Sequence, residues 1–375
     1  MPRVDIIFFD AGGGHRAAAN ALREVVARQQ RPWDVRLVNL QELLDGIDVF
    51  RKLTGLRLED VYNTMLRRGW MLGSPQLTAG MHLMIRLFHG AQVRLLAPFW
   101  KESRPEMVVS VVPNFNRALG DSLRRALPGV PLVTILTDIA DYPPHFWIER
   151  QEQYLICGSD RAVEQAREMG HAEARISRVS GMILHPRYYD IPPMDAAQRA
   201  AARRRLGLDP GRPTGLVLFG GAGADVMVDI ARRLLPRRQL IFICGRNAQL
   251  EARLRALAAG TPAYVEGFTT EVGRFMQLAD YMIGKPGPGS LSEALFMQLP
   301  VIVACNAWTV PQERYNGPWV REQGVGIVVR SFRHIARAVE ELLEPASYAR
   351  FRARAAATEN RAVFEIPEIL ERILA

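Results

Sequence analysis

Apolar residues occur along the chain in short runs, which alternate with longer segments whose apolar positions recur every three or four residues. Short apolar runs bounded by turn residues are typical of buried strands, whereas a period near 3.6 is typical of amphipathic helices. In the first half of the chain the runs predict strands at Val4–Phe9, Val35–Leu40, Met107–Val112, Leu132–Leu136, Tyr154–Cys157 and Arg175–Val179. In the second half they predict strands at Thr214–Phe219, Leu240–Cys244, Ala263–Glu266, Tyr281–Gly284, Val301–Ala304 and Gly326–Val329. Strands that alternate with helices indicate parallel sheets and the α/β class.

A change of character between the two sets of strands predicts a division into domains. Residues 190–211 contain a Pro-Pro pair, an Ala- and Arg-rich helix and the turn LDPGRP, which together are typical of an interdomain linker. The predicted parts are an N-terminal domain at 1–190, a linker at 191–212, a C-terminal domain at 213–345, and helices at 346–375 that pack back toward the N-terminal domain. The predicted fold is therefore two doubly wound, Rossmann-like domains that face a cleft, with ligands bound at the carboxyl ends of the strands.

One helical segment, Met81–Trp100, lies outside this alternation. Its apolar residues recur at helical spacing, Arg86 and Arg94 fall largely on other faces, and Lys101 follows its end. A basic amphipathic helix with bulky apolar residues can lie in a membrane interface. An ordinary helix packed on a core shows the same pattern. We expect core packing for the helix as a whole and membrane contact for part of it.

The charge of the chain favours anionic partners. Its formal net charge is +9, carried almost wholly by arginine, since Lys52, Lys101 and Lys285 are the only lysines. Such an excess suits an anionic membrane surface or phosphorylated ligands, although solubility alone explains it equally well. Because aromatic and basic residues are not interleaved as in RNA-binding proteins, we expect no nucleic-acid partner.

The cysteines and the apolar stretches indicate a location inside the cell. Cys157, Cys244 and Cys305 lie far apart without a CxxC pair, which disfavours disulfides and zinc and fits a reducing cytosol. The first residues run directly into a strand-like VDIIFFD instead of a signal peptide, and no stretch of about 20 residues is apolar enough for a spanning helix. We expect a cytoplasmic protein, peripheral on the cytoplasmic face of the membrane.

The first glycine-rich loop, DAGGGHRA at residues 10–17, lies between a strand and a helix. It satisfies the G-x-G-x-x-A form of a dinucleotide-binding turn. The second strand, however, ends at Asn39, where a dehydrogenase places an acidic residue, so an NAD-dependent oxidoreductase is disfavoured. His15 stands at the helix N-terminus, where the helix dipole lowers the pKa of an imidazole and suits it to act as a general base. The alternative is a histidine that only caps the turn.

Two further loops have the same setting in the second domain. Residues 219–225, FGGAGAD, follow a strand and precede a helix. Residues 284–294, GKPGPGSLSEA, combine a glycine and proline turn with the start of a helix expected near Ser290. Exposed amides at such an N-terminus bind a diphosphate, with Lys285 nearby as a point charge and Glu293 one turn further along to reach ribose hydroxyls. The loop is not a Walker loop, since GxxxxGK[ST] is missing.

Four motifs together carry a family resemblance. GGGHRAAA near the start, CGRN at 244–247, GKPGPGSLSEAL at 284–295 and PQERYN at 311–316 resemble family 28 of the glycosyltransferases. Within that family they are most similar to the monogalactosyldiacylglycerol synthases and related bacterial diacylglycerol glycosyltransferases. The peptidoglycan N-acetylglucosaminyltransferase is a more distant relative. The motifs occur in the family's order, so the resemblance covers nearly the whole chain.

The resemblance implies a GT-B fold in which the second domain holds a UDP-sugar as co-substrate, without cofactor or metal, and the first domain holds the acceptor. The residues implied to bind the nucleotide and its diphosphate are Gly220, Gly221, Arg246, Asn247, Gly267, Phe268, Gly289, Ser290 and Glu293. Those implied to contact the donor sugar are Gln312 and Glu313. The acceptor side is expected at Gly13, Gly14, Thr137 and Trp147.

The expected reaction is inverting transfer of a hexose, with galactose favoured, from a UDP-sugar to a lipid acceptor, with diacylglycerol favoured. The product is a β-glycolipid made at the membrane surface. His15, or as second choice Asp138, removes the proton from the acceptor hydroxyl. Two alternatives stay open at this point: a UDP-sugar epimerase of the same fold, and N-acetylglucosaminyl transfer to a polyprenyl-linked acceptor.

Overall fold

The computed structural model of the chain describes residues 1–10, 14–44, 80, 83 and 85–375, and its first part forms a parallel six-stranded sheet. The strands are β1 (Arg3–Phe8), β2 (Asp34–Asn39), β3 (Met107–Ser110), β4 (Leu132–Ile135), β5 (Tyr154–Cys157) and β6 (Ile176–Arg178), in the order β2-β1-β3-β4-β5-β6. The helices of this part are α1 (Gly14–Arg28), α2 (Leu40–Leu44), α3 (His89–Ser103), α4 (Asn116–Ala126) and α5 (Asp160–Glu168).

The linker carries one helix, α6 (Ala196–Arg205), which is bound to the second domain. The guanidinium of Arg203 is buried and donates hydrogen bonds to the Leu278 carbonyl at 2.9 Å and to Asp280 Oδ2 at 2.7 Å. Arg199 donates to the other carboxylate oxygen of Asp280 at 2.8 Å. Because Asp280 also accepts from the backbone N–H of Thr214 at 2.7 Å, one carboxylate ties the linker to the start of the second sheet.

The second part repeats the architecture of the first. Its strands are β7 (Thr214–Leu218), β8 (Gln239–Ile243), β9 (Ala263–Glu266), β10 (Tyr281–Gly284), β11 (Val301–Ala304) and β12 (Gly326–Val329), all parallel, in the order β12-β11-β10-β7-β8-β9. Its helices are α7 (Val226–Leu234), α8 (Ala248–Ala258), α9 (Val272–Leu278), α10 (Pro288–Phe296), α11 (Asn316–Gln323) and α12 (Ile335–Leu343). Helices cover both faces of the sheets, which explains why most of the strands are continuous apolar runs. All the predicted strands are present, and the α/β prediction is confirmed.

The last two helices, α13 (Pro345–Ala356) and α14 (Ala362–Leu374), pack on different domains. Phe351 of α13 is buried in the core of the second sheet. By contrast, α14 inserts Val363, Ile366 and Leu370 into the core that α1 forms with the first sheet. Glu365 of α14 also accepts hydrogen bonds from the backbone and the hydroxyl of Ser180, at 2.8 and 2.7 Å. The chain therefore joins the two domains twice, through the linker and through α14.

The segment 81–100 divides into two parts. In α3, Leu96 and Trp100 are fully buried, and the Trp100 indole donates to the Ser122 hydroxyl at 2.8 Å. Before α3, Leu83 and Leu87 are 58% and 68% exposed. Met81, His82 and Met84 lie outside the described residues. Within the described ranges no helix is both long and apolar enough to span a bilayer.

The Arg203–Asp280 pair gives a first prediction. Arg203→Ala leaves the Leu278 carbonyl without this donor and the half-buried Asp280 carboxylate with Arg199 as its remaining guanidinium partner, so we expect the second domain to lose about 1–3 kcal/mol of unfolding free energy. Urea unfolding followed by circular dichroism measures the loss. Arg205→Ala, an exposed position on the same helix, is the matched control and should change stability by less than about 0.5 kcal/mol. Equal losses in both variants would contradict a role for the ion pair.

Candidate active site

His15 is the second residue of α1 and lies at the carboxyl edge of the first sheet. Its Nδ1 atom is 3.3 Å from the Thr137 hydroxyl, and its ring centroid is 5.9 Å from that of Trp147. Burial lowers the pKa of His15 to about 4, although a hydrogen bond to the backbone of Val111 acts in the opposite direction. The imidazole is therefore neutral at physiological pH and has a lone pair that can accept a proton.

Asp138 lies beside Thr137, and its side chain is held by Trp147. The Trp147 indole N–H donates to Asp138 Oδ2 at 2.9 Å, and Asp138 is only 7% exposed. Burial raises the pKa of Asp138 to about 7, and the indole N–H opposes this rise. The negative charge of Glu313 raises the pKa further, whereas Lys285 lowers it. Because Glu313 and Lys285 belong to the second domain, charges from both domains act on this carboxyl.

The loop after β4 is shaped by Asp141, which was missed at the level of sequence. Its carboxylate accepts from the backbone N–H of His145 at 3.0 Å and of Trp147 at 2.6 Å. An aspartate just ahead of a Pro-Pro pair is a recognisable turn signal. Trp147 itself has no exposed surface. Its indole N–H donates to the Asp138 carboxyl, so Trp147 positions Asp138.

The third glycine loop leads into α10, which begins at Pro288 and not near Ser290 as expected. Proline at the first helical position explains the earlier start, since its fixed φ suits the helix and its missing N–H is not needed there. The first N–H groups of the helix are therefore those of Gly289 and Ser290, which have no carbonyl of the same helix within reach. The Ser290 hydroxyl donates to the Gly287 carbonyl at 3.2 Å. This arrangement can bind an anion.

An ion pair lies beside this helix start. Lys285 Nζ is 2.7 Å from Glu313 Oε1, and Glu313 is only 8% exposed. A Cβ atom at Gly287 would lie 3.2 Å from the Lys285 side chain and 3.4 Å from the Glu313 carboxylate, so glycine leaves the pair room. Asn316 donates from its amide to the Pro286 carbonyl at 2.7 Å. The PQERYN motif, which also includes Gln312 on the short 3₁₀ turn 311–313, therefore supports the third loop.

The loops after β7 and β8 pack closely against each other and share a backbone hydrogen bond. The backbone N–H of Arg246 donates to the Gly221 carbonyl at 2.9 Å, and a Cβ at Gly245 would lie 2.2 Å from that oxygen. Gly220 has a left-handed φ of 75° and lies close to the Lys285 side chain. Asn247 caps α8, because its side chain accepts from the N–H of Leu250 at 3.0 Å. The structure thus gives Asn247 a structural role.

Arg246 and Phe268 form an exposed stack at the edge of this site. The guanidinium carbon of Arg246 lies 4.7 Å from the centroid of the Phe268 ring, which is 56% exposed. A cation over an aromatic face is a stabilising arrangement. Gly267 packs against Glu251, whose Oε2 atom would be 2.5 Å from an added Cβ. A side chain at this position would require the Glu251 carboxylate to move.

Glu293 of α10 lies beside Arg187 and Tyr188, which are near the end of the first domain. Burial raises its pKa to about 7, whereas Tyr188 and Arg187 lower it. Tyr188 is 2% exposed, and its hydroxyl has no hydrogen-bond partner in bonding geometry among the described residues. No sequence pattern pointed to Tyr188, because its neighbour comes from the other domain.

The remaining predicted positions are Gly13 and Gly14. Gly13 lies outside the described residues, and Gly14 is the exposed first residue of α1. A Cβ at Gly14 would meet no atom within 4 Å. Among the side chains that the structure describes, no group of three His, Cys, Asp or Glu residues is arranged to hold a metal ion.

The Trp147–Asp138 hydrogen bond gives a second prediction. Trp147→Phe removes a donor that favours the ionised carboxylate, so we expect the pKa of Asp138 to rise above its present value of about 7. Carbon-13 NMR of the labelled carboxyl groups measures the titration. Trp33→Phe, also in the first domain's core, is the matched control and should leave Asp138 unchanged. An unchanged pKa of Asp138 in Trp147→Phe would show that this hydrogen bond does not influence the titration of Asp138.

Comparison with known proteins finds a family domain in the second part of the chain. Residues 216–372 match the glycosyltransferase family 28 C-terminal domain. Over 92% of its length the chain is 28% identical to monogalactosyldiacylglycerol synthase 1, chloroplastic, of Arabidopsis thaliana, and it spans 65% of the length of that protein.

Two solved structures share the fold. The chain superposes on MurG of Acinetobacter baumannii with a TM-score of 0.62 at 13% identity, covering 99% of this chain and 100% of that one. It superposes on UGT71G1 of Medicago truncatula, complexed with UDP-glucose, with a TM-score of 0.61 at 12% identity, covering 100% of this chain and 99% of that one. The fold is therefore GT-B, as expected. Residues 216–372 are similar to the C-terminal domain of glycosyltransferase family 28.

Proposed function

We propose that the protein transfers a hexose, with galactose favoured, from a UDP-sugar to the hydroxyl of a lipid acceptor, with diacylglycerol favoured. The observation that carries the proposal is the meeting of two sets of groups. A neutral histidine and a buried aspartate of the first domain lie on one side, and the charges of Lys285 and Glu313 act on the aspartate from the other. A base and an anion-binding helix start are the two requirements for displacing a diphosphate by a hydroxyl.

The donor is assigned to the second domain. The amides of Gly289 and Ser290 and the ammonium of Lys285 are suited to hold the diphosphate. The Arg246–Phe268 stack offers a flat surface for the uracil, and the turn that carries Gln312 and Glu313 offers polar groups for the sugar. The M. truncatula protein of the same fold holds UDP-glucose, which supports a UDP-sugar here.

His15 is proposed as the general base in preference to Asp138. Its imidazole is neutral and not completely buried, so a hydroxyl can approach it. The Asp138 carboxyl is almost fully buried, and one of its oxygens already accepts from Trp147. In this mechanism the acceptor oxygen attacks the anomeric carbon while His15 takes its proton. UDP leaves from the opposite face of the sugar, so the configuration inverts, and the start of α10 stabilises the growing phosphate charge.

The lipid acceptor is supported from two directions. The A. thaliana relative is named a monogalactosyldiacylglycerol synthase. In this chain, Leu83 and Leu87 are one helical turn apart and strongly exposed, with the exposed Arg86 between them. Apolar side chains flanked by positive charge are suited to a membrane interface, and we propose that this segment contacts the membrane.

The decisive assay follows UDP release from a panel of UDP-hexoses, with and without diacylglycerol in anionic vesicles, together with glycolipid formation. Lipid-dependent release with a new β-glycolipid supports the proposal and identifies the sugar. Donor turnover without lipid would point to an epimerase. Transfer only to a polyprenyl-linked acceptor would replace diacylglycerol in the proposal.

The pH dependence of kcat/KM distinguishes the two candidate bases, because a base must be deprotonated to act. With His15, whose pKa is about 4, kcat/KM should stay level from pH 8 down to roughly pH 5 and fall as the pH approaches 4. With Asp138, whose pKa is about 7, kcat/KM should already fall as the pH drops through 7. We expect the first profile; a step near pH 7 that disappears in Asp138→Asn would transfer the role to Asp138.

Two substitutions separate chemistry from donor binding. We expect His15→Ala to lower turnover by about 10²–10⁴-fold with UDP affinity retained, because only the base is removed.

We expect Glu293→Ala to weaken UDP binding by about 10- to 100-fold in calorimetry, because a buried carboxylate no longer reaches the ribose. The exposed His334→Ala and Glu341→Ala are matched controls that should change neither. Full turnover in His15→Ala, or unchanged UDP affinity in Glu293→Ala, would remove the respective assignment.

A further inference from the structure

Tyr188 belongs to the first domain, but its ring is buried in the core of the second. It ends a short 3₁₀ turn at 186–188, just before the linker, and is 2% exposed. The ring is part of the same buried cluster as Leu291 and Leu295 of α10. The guanidinium carbon of Arg187 lies 5.7 Å from the centroid of the ring. Tyr188 is therefore held against the helix that begins at the proposed diphosphate site.

Tyr188 also packs against α9, the helix that follows the predicted uracil loop. Gly273 is the second residue of α9. A Cβ atom there would lie 3.2 Å from Cε1 of Tyr188 and 2.2 Å from Cδ1 of Ile191, so glycine lets α9 approach this segment closely. Because α9 follows the loop of Gly267 and Phe268, Tyr188 contacts two of the elements that build the proposed nucleotide site.

The hydroxyl of Tyr188 is a buried donor without a hydrogen bond. It has no partner in bonding geometry among the residues that the structure describes. Burial raises the pKa of the phenol, and the negative charge of Glu293 raises it further, so the hydroxyl stays protonated. The same effect shows that the Glu293 carboxyl is close to this hydroxyl. A buried polar group that makes no hydrogen bond is unfavourable, so a nearby acceptor that could complete the bond is significant.

Glu293 needs such a donor if it is to bind hydroxyl groups. Burial raises the pKa of Glu293 to about 7, whereas Tyr188 and the charge of Arg187 lower it. A carboxyl with this pKa is only partly ionised at neutral pH, and the ionised form is the stronger acceptor. A hydrogen bond from Tyr188 to one oxygen favours the ionised form and leaves the other oxygen to accept from a ligand.

We propose that Tyr188 is a positioning residue for the donor nucleotide. When a UDP-sugar binds, the Tyr188 hydroxyl donates to one carboxylate oxygen of Glu293 and directs the other toward the ribose hydroxyls. This inference rests on the donor site proposed above, in which Glu293 reaches the ribose. Because Tyr188 belongs to the first domain, recognition of the ribose depends on the position of that domain as well as on the second.

The test measures, by calorimetry, the binding of UDP and of its dideoxy analogue, which lacks both ribose hydroxyls. The variant is Tyr188→Phe, which removes the hydroxyl and keeps the packed ring. Tyr189→Phe is the matched control, because it makes the same change at the next residue. The Tyr189 hydroxyl donates to the Asn360 carbonyl at 2.8 Å, and its ring centroid lies 4.6 Å from that of Phe296 in α10. The control therefore removes a hydroxyl from the same junction of the two domains.

We expect Tyr188→Phe to bind UDP about tenfold more weakly, which corresponds to one hydrogen bond to a charged group, with its affinity for the dideoxy analogue unchanged. Tyr189→Phe should keep the wild-type ratio of the two affinities, whatever its thermal stability. In the Glu293→Ala protein, Tyr188→Phe should cause no further loss of UDP affinity, because Tyr188 acts through this carboxylate.

Equal weakening of both ligands in Tyr188→Phe would show that the tyrosine only holds the domains together, and would overturn the proposal. An unchanged UDP affinity, or a further loss when Tyr188→Phe is added to Glu293→Ala, would do the same. Thermal unfolding checks that each variant folds. A failure of the donor site, in which the wild-type protein binds neither ligand, would also overturn the inference, but it is recognised in the wild-type protein alone.

Discussion

Burial of two ionisable groups, His15 and Asp138, at the carboxyl edge of the first sheet is the constraint on which the site depends. Burial disfavours the charged form of any group, so it lowers the pKa of the imidazole and raises that of the carboxyl. The two values, about 4 and about 7, are thereby moved apart. The imidazole is therefore neutral throughout the physiological pH range, whereas the carboxyl changes its protonation state within that range. This separation of the two pKa values makes distinct roles possible.

The second domain acts on Asp138 through its charges. Lys285 and Glu313 form an ion pair 2.7 Å long beside the start of α10, and both influence Asp138 from across the cleft. The relative position of the domains therefore affects the chemistry directly. The linker is fixed to the second domain through the Arg203–Asp280 contact, and α14 returns to the core of the first domain.

Much of the fold was predictable from the order of the residues, because a strand that is buried on both faces must be apolar throughout. The glycine loops were predictable for a related reason, since close approaches such as that of Gly245 to Gly221 exclude any side chain. Details that depend on contacts between distant segments were not predictable. Tyr188 was missed for this reason, because it lies beside Glu293 of the second domain. The Asp141 turn and the helix cap at Asn247 are local contacts, by contrast, and local turn and capping signals are present for both.

The sequence by itself determined the α/β class, the two sheets and the glycine loop that leads into α10, because local spacing and residue type are sufficient for these. Only the tertiary structure decided that Trp147 is buried against Asp138, that Lys285 pairs with Glu313, and that α14 belongs to the first domain. It also packed Tyr188 of the first domain into the core of the second. The physical reason is that burial and charge act through space, so a pKa or a pocket depends on neighbours that can lie far away along the chain.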